Sequence, residues 1–198
     1  MTYAAIMVHA EASPLAEPRL RLAAHVANLF GATLIGVGAR TPHLETEAAA
    51  VDGTRVRERA ARADIKAAQA RFQPIASYVS GGSEWRPTQD EPSVALIRES
   101  RAADLIVMSR AGGNDLHDRG EVGDVLLGAG RPVLIARPNE TRLEPCRVVV
   151  AWKDSRESRR ALADALPLLK LAVRVRVVQV CEGLARSEAE AQAMDVAA

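Results

Sequence analysis

Residues 4–38, AAIMVHAEASPLAEPRLRLAAHVANLFGATLIGVG, decide the fold. The apolar run at 4–10 has the length of a buried strand. Ser13 and Pro14 then offer a cap and a first helical turn. Leu15, Leu22, Val26 and Leu29 recur at helical spacing, and Gly31 supplies a stop. The apolar stretch TLIGVG at 33–38 reads as a second strand. Strand, helix and strand in so short a span form one βαβ unit, with parallel pairing and a right-handed crossover.

The same alternation continues. Residues 40–53 read as a loop, or a loop with an irregular helix, and 54–72 as a helix ended by Pro74. Val56, Ala60, Ala63, Ala67 and Ala70 are its expected small-residue face, and its arginines cover the other sides as a solvated, salt-bridged surface. A weak strand lies within 77–87, interrupted by Gly81 and Gly82. Pro92, Val94, Leu96 and Ile97 open a third helix that runs to about Ala102. DLIVMS at 104–109 is the clearest buried strand, and a glycine-containing loop, RAGGNDLHDRGEVG, follows it. A short helix fits 121–128 and a fifth strand 132–136. This pattern predicts an α/β fold, a doubly wound parallel sheet with helices on both faces. Ligands bind such sheets beyond the C-terminal strand ends, where the strand order reverses.

After the linker at 139–146 the pattern restarts. RVVVAW at 147–152 is a strand, Ser158 to Leu169 a helix, and 173–181 a strand. Ser155 falls where Ser13 fell, about 142 residues earlier (155 − 13). The chain therefore divides into a first domain at 1–138 and an incomplete second copy at 147–198, which stops inside its next predicted helix. Two parallel strands cannot bury both faces alone, so the piece packs on the first domain, pairs with another chain or belongs to a longer protein, and truncation is the favoured expectation.

Composition narrows the function. Hydrophobic residues make up 48%, charged residues 26% and aromatics 3%, and the net charge is +1. A core is affordable, whereas a basic field or stacking platform for nucleic acid is not supported. No apolar run reaches the roughly 20 residues that cross a bilayer, and no signal-peptide pattern opens the chain. A cytoplasmic protein is expected. Cys146 and Cys181 are expected to be buried structural residues, and Trp85 and Trp152 packing residues. No metal motif is evident.

The segments IMVHAEAS, ADLIVMSRAGG, GRPVLIARP and VVVAWKDSRESRRAL, in this order, resemble the universal stress protein family, and the last resembles its tandem-domain bacterial members. The resemblance implies a five-stranded parallel sheet in the order 3-2-1-4-5, a role in stress tolerance, and association as a homodimer or as a pseudo-dimer between repeats. Many such proteins bind ATP. The implied nucleotide cleft, for ATP or AMP, is formed here by Glu11, Val37, Met108, Ser109, Gly112 and Gly113. Glu11 stands where binding members carry an aspartate at the end of strand 1, and Lys153 stands there in the second copy. Glu11 is otherwise an exposed loop carboxylate. The family's phosphate loop, Gly-x2-Gly-x9-Gly-[Ser/Thr], is degenerate: Gly112 matches its first glycine, but Asp115 replaces the second and the closing Gly-Ser is absent. Glycines there let amide N–H groups approach phosphate. A carboxylate at about 5 Å from phosphate costs on the order of 3 kcal/mol at an effective dielectric near 20. The expectation is a non-catalytic stress-response protein that acts through association, with weak or lost nucleotide binding. The alternatives are an ATP-binding member, or a nucleotide hydrolase using the 109–123 loop, with Asp115, His117 and Asp118, and a divalent metal. The short apolar fifth strand, flanked by prolines, is expected at a sheet edge, where it could pair with a partner.

Overall fold

The computed structural model describes residues 2–42, 53–109, 122–144, 146–181, 183 and 185–197. Tyr3–Leu143 form one compact unit, and Glu144–Ala198 belong to a second.

In the first unit, β1 (Ala5–His9) runs into a 3-10 turn at Pro14–Ala16 and then α1 (Glu17–Phe30). Ser13, in an extended conformation, caps that turn by accepting from the Leu15 N–H at 3.2 Å. α1 stops at Gly31, whose φ of 62° is left-handed, while the Ala32 N–H returns to the Ala27 carbonyl at 2.9 Å. β2 (Thr33–Ala39), α2 (Gly53–Ala76), β3 (Ser83–Thr88), α3 (Pro92–Glu99), β4 (Leu105–Ser109), α4 (Val122–Gly128) and β5 (Val133–Ala136) complete it. All pairings are parallel, in the order β3-β2-β1-β4-β5. The start of β1 is pinned to β4 because Asp104 Oδ2 accepts from the Ala4 and Ala5 N–H groups at 2.7 and 3.1 Å.

Several expectations shift in phase. Leu22 and Val26 of α1 are buried, but Leu15 and Leu29 are exposed; the inner stripe is Arg19, Leu20, Ala23, Val26 and Ala27. On α2 the expected face is turned outward, with Val56 66% exposed and Ala60, Ala63, Ala67 and Ala70 also exposed. Ala61, Ile65, Ala68, Phe72 and Ala76 pack inward instead. The larger apolar groups Ile65 and Phe72 set the phase, since burial free energy scales with apolar area. Pro74 does not end α2, which continues to Ala76. So close to the C-terminus, proline removes only one late backbone bond, and the Ser77 hydroxyl donates to the Pro74 carbonyl at 2.8 Å. The third strand lies after Gly81 and Gly82, at the end of the interval expected to hold it.

Two glycines of β2 make room for aromatic rings. A Cβ on Gly36 would lie 2.6 Å from the Phe72 ring, and one on Gly38 would lie 2.3 Å from Trp85. The two rings pack at 5.3 Å between centroids. On the opposite face, Met7, Ile35, Val37, Ile106 and Met108 form one core with Ala95 and Leu96 of α3.

The two sheet edges differ. β3 is guarded by charge: Arg86 donates to Glu84 and Glu99 at 2.9 Å, and Arg98 bonds Glu99 at 3.0 Å. The hydrogen bond from Arg86 lowers the Glu84 pKa. At Glu99, burial acts upward, but the hydrogen bonds from Arg98 and Arg86 outweigh it and the net shift is downward. β5 is short and apolar, with Ile135 exposed, and it lies at the other edge as expected.

The second unit contains β6 (Arg147–Trp152), α5 (Arg156–Leu169), β7 (Arg174–Gln179) and α6 (Arg186–Ala197). β6 and β7 pair in parallel. Ser155 caps α5 by accepting from the Ser158 N–H at 3.1 Å. Trp152 is buried, whereas Cys146 and Cys181 are exposed, contrary to expectation. Cys146 precedes β6 and Cys181 follows β7, so both sit beyond the strand ends, outside the packed part of this small sheet. No described helix is long and apolar enough to cross a membrane.

Candidate functional site

Chain direction fixes where the site is. From β1 the chain moves outward to β2 and β3; from β4 it moves the other way to β5. The reversal lies between β1 and β4, and a crevice beyond their C-terminal ends follows from the crossover rule.

Arg19, in the first turns of α1, occupies that reversal point. It is 3% exposed. Its Nε donates to the His9 carbonyl at 3.2 Å and its Nη1 to Ser109 Oγ at 2.6 Å. Its Nη2 lies 3.5 Å from Glu11 Oε1, and Glu11 is 7% exposed. One guanidinium therefore joins the end of β1, the residue two beyond it and the end of β4. Glu11 is a buried ion-pair partner rather than an exposed loop carboxylate. The guanidinium donates to two acceptors, the His9 carbonyl and Ser109 Oγ, and faces Glu11 as an ion pair.

His9 sits beneath this cluster. Burial pushes its pKa down from the usual 6.5 to about 3, and the Arg19 charge acts in the same direction. The ring is thus neutral, and Nε2 lies 3.4 Å from the Ala39 carbonyl, to which it can donate.

Beside the cluster opens a cleft of about 280 Å³. Its walls include Glu11 and Ser13 after β1, Arg40 after β2, and Asp64, Ile65 and Ala68 of α2. Arg40 Nε and Asp64 Oδ2 form an ion pair at 3.2 Å. Arg71 of α2 donates to the Ala12 carbonyl at 3.1 Å, which holds the helix against the loop that forms the floor. The wall thus presents the Asp64 carboxylate, the Arg40 guanidinium and the Ser13 hydroxyl beside an apolar strip, with the Glu11 carboxylate buried behind it. Such a surface can accept bonds from amino and hydroxyl groups and cover a flat apolar ring.

The sequence-predicted residues fall into three groups. Glu11 and Ser109 are brought together through Arg19. Val37 and Met108 have buried side chains in the core, and the Val37 carbonyl accepts from the Ala10 N–H at 2.9 Å. Gly112 and Gly113 lie outside the described residues, as do Asp115, His117 and Asp118. Arg19, Arg40 and Asp64 were missed. Arg19 could have been found from the inner stripe of α1, in which it is the one charged residue. Asp64 carried no signal among the many charges of α2. Among the described residues no group of His, Cys, Asp and Glu has the arrangement of a metal site.

No protein-family model matches this sequence, and no curated protein matches it. Solved structures do. The universal stress protein UspA from Lactobacillus plantarum is similar with a TM-score of 0.57 at 19% identity, over 69% of this chain and 99% of that one. A universal stress protein from Archaeoglobus fulgidus is similar with a TM-score of 0.64 at 15% identity, over 98% of this chain and 72% of that one. The chain has the universal stress protein fold, with the five-stranded sheet in the order that the family resemblance implied.

Proposed function

We propose that the chain is a universal stress protein that acts through binding and association rather than catalysis. Its cleft would take a nucleoside or nucleoside monophosphate in preference to a triphosphate. The observation that carries this reading is Arg19. The guanidinium that could meet a phosphate at the β1–β4 reversal is engaged by Glu11, Ser109 and the His9 carbonyl. The neighbouring cleft, at about 280 Å³, is near the lower end of small-molecule sites. Of the two carboxylates near it, that of Asp64 is half-exposed, and it can accept from ligand amino and hydroxyl groups while the buried Glu11 stays with Arg19.

Association along β5 belongs to the same reading. Its apolar outer edge, without the charges that guard β3, suits a homodimer or a pseudo-dimer between repeats. The strand–helix–strand–helix order of the second unit, with Ser155 capping as Ser13 does, supports a partial second copy of the first domain. A cytoplasmic location is part of the proposal.

Calorimetric titration with adenosine, AMP and ATP, with and without magnesium, tests it. Asp64→Ala should weaken adenosine and AMP alike, by about tenfold for one lost charge-assisted hydrogen bond. Magnesium-dependent turnover of ATP abolished by Asp118→Ala would replace this reading with the hydrolase.

A further inference from the structure

We propose that the cleft of the first unit selects guanine over adenine, and that Asp64 is the residue that selects. The proposal rests on the reading of the cleft as a nucleoside site and names the base. Of the two carboxylates in its wall, Glu11 is buried against Arg19, whereas the Asp64 side chain is 46% exposed. Among the described residues Asp64 pairs with Arg40 alone, through Oδ2 at 3.2 Å, which leaves Oδ1 open to a ligand. The pair ties α2 to the end of β2 and holds the carboxylate at the cleft wall. Main-chain groups nearby are already engaged. The Arg40 N–H donates to the Thr88 carbonyl at 3.3 Å, and the Ala10 N–H to the Val37 carbonyl at 2.9 Å. Reading the edge of a base therefore falls to side chains, and the exposed carboxylate among them is that of Asp64.

A carboxylate accepts hydrogen bonds and donates none. Guanine presents two adjacent donors on one edge, N1–H and the 2-amino group, and two carboxylate oxygens can take them as a fork. Oδ2 keeps a lone pair for this beside its contact with Arg40. Adenine presents its 6-amino donor beside N1, whose lone pair would point at the second oxygen. One bond forms there and a repulsion replaces the other. Hypoxanthine keeps N1–H and lacks the 2-amino group, so it makes one bond without the repulsion. A site built to hydrogen-bond a ligand donor rejects the analogue that lacks it, because its own polar group is left unpaired. The apolar strip of Ala39, Ile65 and Ala68 meets the ring of any purine and does not discriminate. Selection therefore rests on the carboxylate.

The experiment titrates the full chain with GMP, IMP and AMP in one buffer, by calorimetry. GMP should bind at least about tenfold more tightly than AMP, with IMP between them. Asp64→Asn supplies a readout that a merely structural role would not move. A carboxamide offers one acceptor and one donor, which match the 6-amino group and N1 of adenine. GMP should weaken at least about tenfold while AMP tightens, so that the order reverses. A gain for AMP cannot come from a misfolded chain. Glu58→Gln, on α2 but outside the cleft wall, should keep the parent order. AMP bound as tightly as GMP by the parent would overturn the proposal and leave the nucleoside reading standing. An equal loss of all three nucleotides in Asp64→Asn would set the carboxylate against the ribose instead and also overturn it. Saturation by none of the three would remove the nucleoside reading itself, and this proposal with it.

Discussion

Arg19 Nη1 donates to Ser109 Oγ at 2.6 Å, joining the first turns of α1 to the last residue of β4. The residues are 90 apart in sequence. The same guanidinium holds Glu11, so the reversal of the sheet is closed by a buried ion pair.

Removing that cation should be costly. Arg19→Met leaves the Glu11 carboxylate buried without its guanidinium, and a destabilisation of about 3–5 kcal/mol is expected in urea unfolding. Glu11→Gln in the same background should recover part of it. Losses that simply add would show that the two residues are not coupled.

His9 gives a pH dependence of definite sign. Its folded pKa is depressed to about 3, so the unfolded chain binds the proton more readily. The stabilisation is complete above about pH 6.5 and is lost as pH falls toward 3, at up to about 1.4 kcal/mol per pH unit. Glu84 and Glu99, whose pKa values are lowered, contribute stability that is lost only below their ordinary value of 4.5. Between pH 6.5 and 5 the slope should therefore flatten in His9→Gln. A slope that survives this change would refute the assignment.

Gly36→Ala forces a methyl group against the Phe72 ring. Overpacking of this kind costs about 1–3 kcal/mol. Phe72→Leu should lose stability alone yet relieve Gly36→Ala in the double variant, and urea midpoints of the four proteins would show the coupling.

β6 and β7 set Arg147 directly beside Arg174, and this like-charge pair should cost stability. Arg174→Thr removes a like-charge pair with Arg147 and adds a strand-favouring residue. A gain of about 0.2–1 kcal/mol is expected. Trp152 fluorescence in a Trp85→Phe background would follow the transition of this unit. A loss of stability would mean that Arg174 has a structural partner.

How far the sequence was legible follows from the range of each interaction. Strand runs, the Ser13 and Ser155 caps and the Gly31 stop are local, while the sheet order 3-2-1-4-5 came only through the family resemblance. The phase of α2 was not legible, because alanines repeat on several of its sides and only the fit of Ile65 and Phe72 to the sheet selects one. Glu11 and Ser109 were singled out through the family resemblance, but the residue that joins them was not. A buried arginine depends on acceptors from β1 and β4, which sequence spacing does not bring together. Arg40 and Asp64 pair across the β2–α2 connection for the same reason.

The most direct measurement of the central claim is the affinity of the purified chain for ATP relative to AMP, by calorimetry in the presence of magnesium. If the cleft serves the nucleoside and the phosphate cradle is spoiled, AMP binds at least as tightly as ATP, and Gly112→Val changes neither affinity. ATP bound about a hundredfold more tightly than AMP, with that preference abolished by Gly112→Val, would contradict it.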